Sequence, residues 1–267
     1  MKFTDYIKKM LTGQMRSDSL SADQVAPQST LPQDPAGLIL LAIDTASTSL
    51  STAVLVDGVV RGETYEDMER GQAENLLPFI ERSLDQAGVT FDQVDGIAVT
   101  VGPGAFTGMR IGLATARGLG LSRKIPVVGV SSLEAVAWGV TQRDHQGRNI
   151  VVALDSKRNE IFAQAFDAQK RPLGPPECLP PRQALMLAPP GPTVLAGDAT
   201  PRLLTAAAHA PDTFYACTAP GLPRAGVVAQ IAAGRWESGG NLPPVPLYLR
   251  APDARRMDEQ DQPVASS

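Results

Sequence analysis

Histidine, cysteine and aromatic side chains are all scarce in this chain, with two, two and 5% respectively in 267 residues. The cysteines, Cys178 and Cys217, form no CxxC pair, which argues against a disulfide framework or a cysteine-based zinc site. That usage fits a reducing compartment, and a cytoplasmic location is expected. His145 and His209 stand far apart and belong to no HExxH or similar pair, so no side-chain metal site is expected. Positive charge is not in excess either. Lys and Arg total 24 against 28 acids, a formal net charge of -4, which argues against a generally basic nucleic-acid surface. No dense basic stripe with interleaved aromatics offers RNA a platform. No apolar run approaches the length of a membrane-spanning helix, so no membrane partner is expected. The opening MKFTDYIKKML sets Phe3, Tyr6, Ile7, Met10 and Leu11 among lysines, without the apolar core or cleavage site of a secretory signal.

What is present is a globular composition, 43% hydrophobic and 19% charged, in a chain long enough for one large domain or two lobes. Residues 12–37 are polar and proline-punctuated, so 1–37 read as a flexible arm. The alternative for its first residues is an amphipathic helix that touches a partner. An ordered lobe over 38–147 opens with the apolar run 38–43, the polar turn Asp44-Thr45-Ala46-Ser47, a strand over 51–56, an Asp57-Gly58 hairpin and a strand over 59–66. A helix over 74–87, with Leu77, Ile80 and Leu84 at helical spacing and Gly88 as its cap, precedes a strand at 94–101. A second lobe, 148–250, opens as the first does: Ile150 to Leu154 ends at Asp155-Ser156. The echo points to internal duplication. A flexible tail, 251–267, closes the chain.

The richest stretch is Gly102-Pro-Gly-Ala-Phe-Thr-Gly-Met-Arg110 and the helix it opens. Gly108, Gly112, Ala116 and Gly120 recur every fourth residue and so share one face. Because glycine weakens a helix interior by ~0.5–1 kcal/mol, the repeat demands a close neighbour or a ligand. The loop is no Walker A, since it lacks the GK[ST] ending. We read the small ridge as an outward surface for a helical partner, with Met109, Leu113 and Leu121 serving the sheet and Leu77, Ile80 and Leu84 adding an apolar stripe. The alternative is packing against the lobe's own sheet. On the outward reading, Gly112→Leu would block association and leave the monomer folded. Arg110, at a helix start that disfavours a cation, is either an internal clamp or a partner contact; Arg117 is a candidate rim contact.

Taken together, Asp44-Thr45, the segment 102–110, Val127-Val-Gly-Val-Ser-Ser132, Ala153-Leu-Asp155 and Tyr248-Leu-Arg250 resemble the TsaB (YeaZ) family, over roughly residues 38–251. The resemblance implies an α/β actin/Hsp70-like ATPase (ribonuclease H-like) fold of two lobes, each on a mixed sheet with an antiparallel hairpin opening, the second lobe degenerate. It further implies a non-catalytic subunit that pairs with the catalytic paralogue TsaD, with the TsaE ATPase joining the complex. That complex threonylcarbamoylates N6 of adenosine 37 in tRNAs reading codons that begin with A. For the lone chain both a homodimer and a monomer stay open, and tRNA contact is expected only through the complex. Three positions depart from the family pattern: Gln72 for a histidine, Val101 for an arginine, and Ala105 for a serine.

In this fold phosphates sit on backbone N–H groups of hairpin turns, beside an aspartate. The residues of such a cleft, expected to be vestigial, are Asp44, Thr45, Gly102, Gly104, Thr107, Asp155 and Gly197. Opposed to that is the plain role of Asp44 and Asp155 in closing their turns. No catalytic residue is assigned and no cofactor is expected to bind tightly. ATP and a divalent metal are expected in the assembled complex, mainly on the partner subunits. The competing function is an active ATPase or phosphotransferase of the same fold. A protease-like function lacks the ligands or triad it would need.

Overall fold

The structure, a computed structural model, describes Asp5, Ile7, Lys8, residues 37–209 and residues 213–250. The expected tail, 251–267, and all of the expected arm except those three residues and Gly37 lie outside the described residues.

Three antiparallel strands open the fold: β1 (Ile39–Asp44), β2 (Ser49–Val56) and β3 (Val59–Asp67). The β2–β3 turn places Asp57 at φ 51 and Gly58 at φ 75, the paired left-handed geometry that matches strand twist in a two-residue hairpin. Helix α1 (Gln72–Ala87) and strand β4 (Gly96–Gly102) follow, then α2 (Phe106–Arg123), β5 (Val127–Ser131) and α3 (Ser132–Gly139). The sheet order is β3-β2-β1-β4-β5, with β4 parallel to both neighbours. β4 is buried along its whole length, as a central strand covered on both faces must be.

After a single turn, α4 (Gln142–His145), the pattern repeats. β6 (Asn149–Asp155), β7 (Ile161–Phe166) and β8 (Glu177–Leu179) are antiparallel. A short α5 (Pro181–Ala184), β9 (Thr193–Ala196), α6 (Thr200–Ala206), β10 (Phe214–Ala216) and α7 (Ala225–Gly234) follow among the described residues. The second sheet reads β8-β7-β6-β9-β10. Strand for strand this is the order of the first, so the duplication suggested by the two Asp-ended strands is present in the topology. Two such sheets with helical cover are the actin/Hsp70-like (ribonuclease H-like) architecture.

The lobes exchange helices. On one face of sheet one, Leu41, Ile43, Val54 and Val99 pack with Leu76, Phe79 and Ile80 of α1 and Leu113 of α2. On the opposite face Leu40, Ala42, Ala53 and Leu55 meet Val228, Ile231 and Trp236 of α7 and the turn after it. Meanwhile Leu133 and Val136 of α3 pack with Ile150, Val152 and Phe166 of the second sheet. The expected second lobe, 148–250, is therefore corrected at its end: α7 follows the second sheet in sequence but covers the first. A partly buried ion pair fastens the exchange, Arg235 Nη1 donating to Glu134 Oε2 at 3.0 Å. The last described segment straps the first lobe. Leu242 pairs with Gly129, and Leu247 N–H donates to Val101 O at 2.8 Å.

The small ridge of α2 faces inward, which corrects the outward reading. A Cβ on Gly108 would lie 2.0 Å from Thr45 O, and one on Gly112 would lie 2.4 Å from Thr45 Oγ1. One on Gly120 would lie 2.3 Å from Val127 Cγ2, and Ala116 is fully buried. Glycine is used here because only a bare backbone lets the helix lie against the β1–β2 turn. Ile80 and Leu84 are buried in the same cluster, while Leu77 is half-buried at its edge. Leu121, expected to serve the sheet, is 73% exposed. These contacts reverse the expectation for Gly112→Leu. Gly108→Ala should lower the unfolding free energy by about 2 kcal/mol, and Gly112→Leu by more, both read from urea denaturation followed by circular dichroism. An unchanged midpoint would show that the helix does not need this approach.

Candidate functional site

Two turns face each other across the lobes. In the first, Asp44 ends β1 and is fully buried. Its Oδ1 accepts from Thr100 Oγ1 at 2.6 Å and from Ala46 N–H at 3.3 Å, whereas buried Oδ2 has no hydrogen-bond partner. Burial without full compensation raises the carboxyl from its usual 3.8 to about 6, against the opposing pull of the Thr100 hydroxyl. Thr45 turns its hydroxyl to the helix, donating to Gly108 O at 2.7 Å. Ala105 N–H donates to Ala46 O at 2.7 Å, and Gly104 lies so close that a Cβ would stand 2.0 Å from that oxygen. The turn is held from its other side by Gln72, whose amide donates to Ser47 O at 2.9 Å and Ser49 O at 2.8 Å. The departure from histidine at this position thus supplies a clamp on the turn.

In the second turn, Asp155 Oδ1 accepts from Lys157 N–H at 2.9 Å and from Arg202 Nη1 at 2.9 Å. Its own N–H donates to Asp198 Oδ1 at 2.8 Å. Burial pushes the Asp198 carboxyl up. Arg202 also donates to Glu160 O and Asn159 O, which braces the whole 155–160 turn. Asp155 therefore closes its turn, the plain role set against phosphate chemistry at the outset. Gly197, at φ 104, lies against Ala153 O, where a Cβ would stand 1.9 Å away.

Between the turns, Ala46, Ser47, Gly104 and Ala105 face Asp155, Ser156 and Phe162 across a cleft of about 60 Å³. Small-molecule sites typically measure ~300–1,000 Å³, so the space between the turns is small for one, while a wider opening of about 780 Å³ lies on the outer side of the second turn, lined by Lys157, Arg158, Asn159, Glu160 and Arg250. The carboxylates do not fit a magnesium phosphate either: Asp44 is sealed beneath its turn and Asp155 is held by a guanidinium. Among the described residues no group of three or more His, Cys, Asp or Glu could hold a metal ion. His145 is buried, and its Nδ1 accepts from Gly147 N–H. Of the expected cleft residues, then, Asp44, Thr45 and Gly104 meet at one turn. Gly102 packs near Met109, Thr107 is exposed in the first turn of α2, and Asp155 and Gly197 belong to the facing turn.

The arginines resolve differently from one another. Arg110 stacks over Phe106 at 3.7 Å and donates from Nε to Tyr248 Oη at 3.1 Å, with the two rings 5.3 Å apart. It is the internal clamp of the two alternatives. Arg117, expected at a rim, donates to Pro244 O instead, so both arginines hold the C-terminal strap. Sequence spacing missed this Phe106–Arg110–Tyr248 cluster because 138 residues separate its arginine from its tyrosine.

The outer side of α1 and α2 carries exposed apolar surface, as do Val59, Trp138, Leu173 and Met186 elsewhere on the molecule. Ile111 is half-buried, Ala114 and Gly118 are exposed, and Leu121 projects one turn further on. Nothing lies within 4 Å of where a Gly118 Cβ would stand. An exposed mid-helix glycine costs ~1 kcal/mol relative to alanine, and no contact among the described residues accounts for it. On α1, Leu77 lies between exposed Glu74 and Asp85 along the same side.

Comparison with known proteins points one way. A family model described as "TsaD: tRNA N6-adenosine threonylcarbamoyltransferase" matches residues 61–207. The tRNA threonylcarbamoyladenosine biosynthesis protein TsaB of Haemophilus influenzae is 37% identical over 125 residues, 47% of this chain and 52% of that protein. The match thus spans about half the length of that curated relative. Protein Rv3421c of Mycobacterium tuberculosis is 34% identical over 219 residues, 81% of this chain and 93% of that protein. The solved structure of YeaZ from Pseudomonas aeruginosa superposes with a TM-score of 0.67 at 30% identity, covering 79% of this chain and 100% of that one.

The buried aspartate generates a pH test. Its folded value, about 6, lies above the ordinary 3.8. The stability it contributes is therefore complete below pH ~4 and is lost as pH rises through about 6. Asp44→Asn should remove that dependence. Wild type should lose about 3 kcal/mol relative to the variant between pH 4 and pH 7, measured by urea denaturation across that range. Parallel profiles would show that Asp44 does not titrate in this window.

Proposed function

The chain belongs to the TsaB (YeaZ) family, and on that premise we propose that it is a non-catalytic partner subunit in tRNA threonylcarbamoylation. It pairs with and activates the catalytic paralogue TsaD, which modifies N6 of adenosine 37 in tRNAs reading codons that begin with A. TsaE joins the assembly, and tRNA is contacted through the complex. ATP and the divalent metal act on the partner subunits. The lone chain forms a homodimer through the face the paralogue takes, in the cytoplasm. None of the described helices is long and apolar enough to cross a membrane.

The observation that carries the pairing is the strip along the outside of α2, where Leu121 is 73% exposed and Gly118 has open space around it. A helix laid along Ile111, Ala114 and Gly118 could approach to backbone distance, which a larger residue at 118 would prevent. The inward-facing Gly108 and Gly112 serve a different end: they set α2 against the sheet, and so fix which residues face out. The competing function, an active ATPase, is disfavoured by the 60 Å³ cleft and by the engagement of Asp155 with Arg202.

The test is reconstitution of tRNA modification with purified components. The chain alone should transfer no threonylcarbamoyl group, and its addition should restore transfer by the paralogue. Leu121→Glu should weaken association with the paralogue at least 10-fold by calorimetry, while stability stays within ~0.5 kcal/mol of wild type. Wild-type affinity in that variant would remove α2 from the interface, and transfer by the isolated chain would overturn the non-catalytic reading.

A further inference from the structure

Segments far apart in sequence bring aromatic rings and cations together at one edge of the cleft. Phe106 is 38% exposed and Tyr248 is 40% exposed, with Arg110 held against both side chains. Ala105, which precedes Phe106, lines the cleft, and Lys157 lines it from the facing turn. Lys157 also lines the wider opening of about 780 Å³, together with Arg158 and Arg250. The strap joins the same two places by a second route. Leu249 packs into the second-lobe core, and its neighbours in the chain are Tyr248 and Arg250.

Two of these cations are loosely held. Arg250 stands 3.9 Å from Glu160, and Lys157 Nζ stands 3.5 Å from Asp155 with its side chain 64% exposed. Solvent-exposed pairs of this kind contribute little, so a phosphate can replace the carboxylate in either. Asp155 keeps Arg202 when Lys157 leaves. Lys157 holds φ 60, a left-handed conformation that glycine or asparagine adopts at less cost. Its N–H bond to Asp155 Oδ1 could be made equally by glycine, so the turn itself gives no reason for a lysine there. The net charge of -4 does not decide the matter, because exposed charges more than about 8 Å apart are largely screened at physiological salt.

We propose that this edge binds a short single-stranded RNA segment, with an unpaired base stacked on the Phe106–Tyr248 pair and adjoining phosphates taken by Lys157, Arg158 and Arg250. The rings offer a stacking face that any base can use, and the cations track the backbone, the combination by which single strands are held. Because rings and opening are both open to solvent, they suit a strand passing along the edge better than a free nucleotide, which needs enclosure. Gly118 lies roughly 18 Å along α2 from Phe106, so this edge is distinct from the strip assigned to the paralogue. That the RNA is tRNA rests on the function proposed above; the binding of a single strand does not.

Fluorescence anisotropy tests this on the full-length chain without other subunits, using a labelled single-stranded RNA of about six nucleotides. The RNA should bind. Tyr248→Leu and Lys157→Gly, each folded by circular dichroism, should bind it roughly 5-fold more weakly. In Lys157→Gly the slope of log affinity against log salt should also shrink by about 0.7, the signature of one lost phosphate contact. A purely structural role for Lys157 would leave that slope alone. Arg171→Gln, at the opposite end of the second sheet beside Asp167, should match wild type in affinity and slope. No binding by wild type, undiminished binding by Tyr248→Leu and Lys157→Gly, or an equal loss in Arg171→Gln would overturn the surface. AMP binding as tightly as the RNA would overturn the strand and leave a mononucleotide site. Reconstitution with the paralogue is read separately, so either proposal can fail while the other stands.

Discussion

The approach of α2 to the β1–β2 turn is the contact on which the first lobe depends. Three glycines, at 104, 108 and 112, lie against Thr45 and Ala46, each at a distance no side chain could share. The turn in exchange gives the helix two hydrogen bonds, from the Thr45 hydroxyl and to Ala46 O. Because the backbones touch, the rotation of α2 about its axis is fixed by sterics rather than by hydrophobic matching, which tolerates more slippage. Everything on the helix follows from that rotation: Met109 and Leu113 point to the core, Arg110 and Arg117 to the strap, Gly118 and Leu121 to solvent.

The same contact shapes the cleft between the two turns. In a phosphate-binding turn, backbone N–H groups stay free for a ligand. Here Ala46 N–H bonds Asp44, Gln72 occupies the carbonyls of Ser47 and Ser49, and the 102–107 loop is drawn onto the turn. Across the cleft, Arg202 neutralises Asp155. In both turns the aspartate is engaged within the turn itself, Asp44 Oδ1 by Ala46 N–H and Asp155 Oδ1 by Lys157 N–H, and Asp44 Oδ2 is left without a partner.

Much of the fold was legible because its signals are local. The Asp57-Gly58 hairpin, the Gly88 cap and the two Asp-ended strands all follow from residues within a few positions of one another. The duplication was legible for the same reason, since each half opens with the same strand–turn pattern. The direction of the glycine ridge was not. A period of four says that small residues share a face but not what that face meets, and the neighbour, Thr45, lies 63 residues away. The assignments to Ile80 and Leu84 failed likewise, as a core stripe and a partner stripe look identical in one helix. Arg110 and Arg202 were beyond reach because each bonds a residue more than 40 positions distant. The exposed glycine at 118 was within the segment first singled out, and only its three-dimensional setting separates it from the glycines at 108 and 112.

The exchange of helices has a consequence for how the chain is made. Leu40, Ala42, Ala53 and Leu55 leave the ribosome well before their cover, Val228, Ile231 and Trp236. One side of the first sheet therefore stays bare until the whole second sheet has been made, a state prone to misassociation. The first lobe cannot finish folding ahead of the second, and the two mature together.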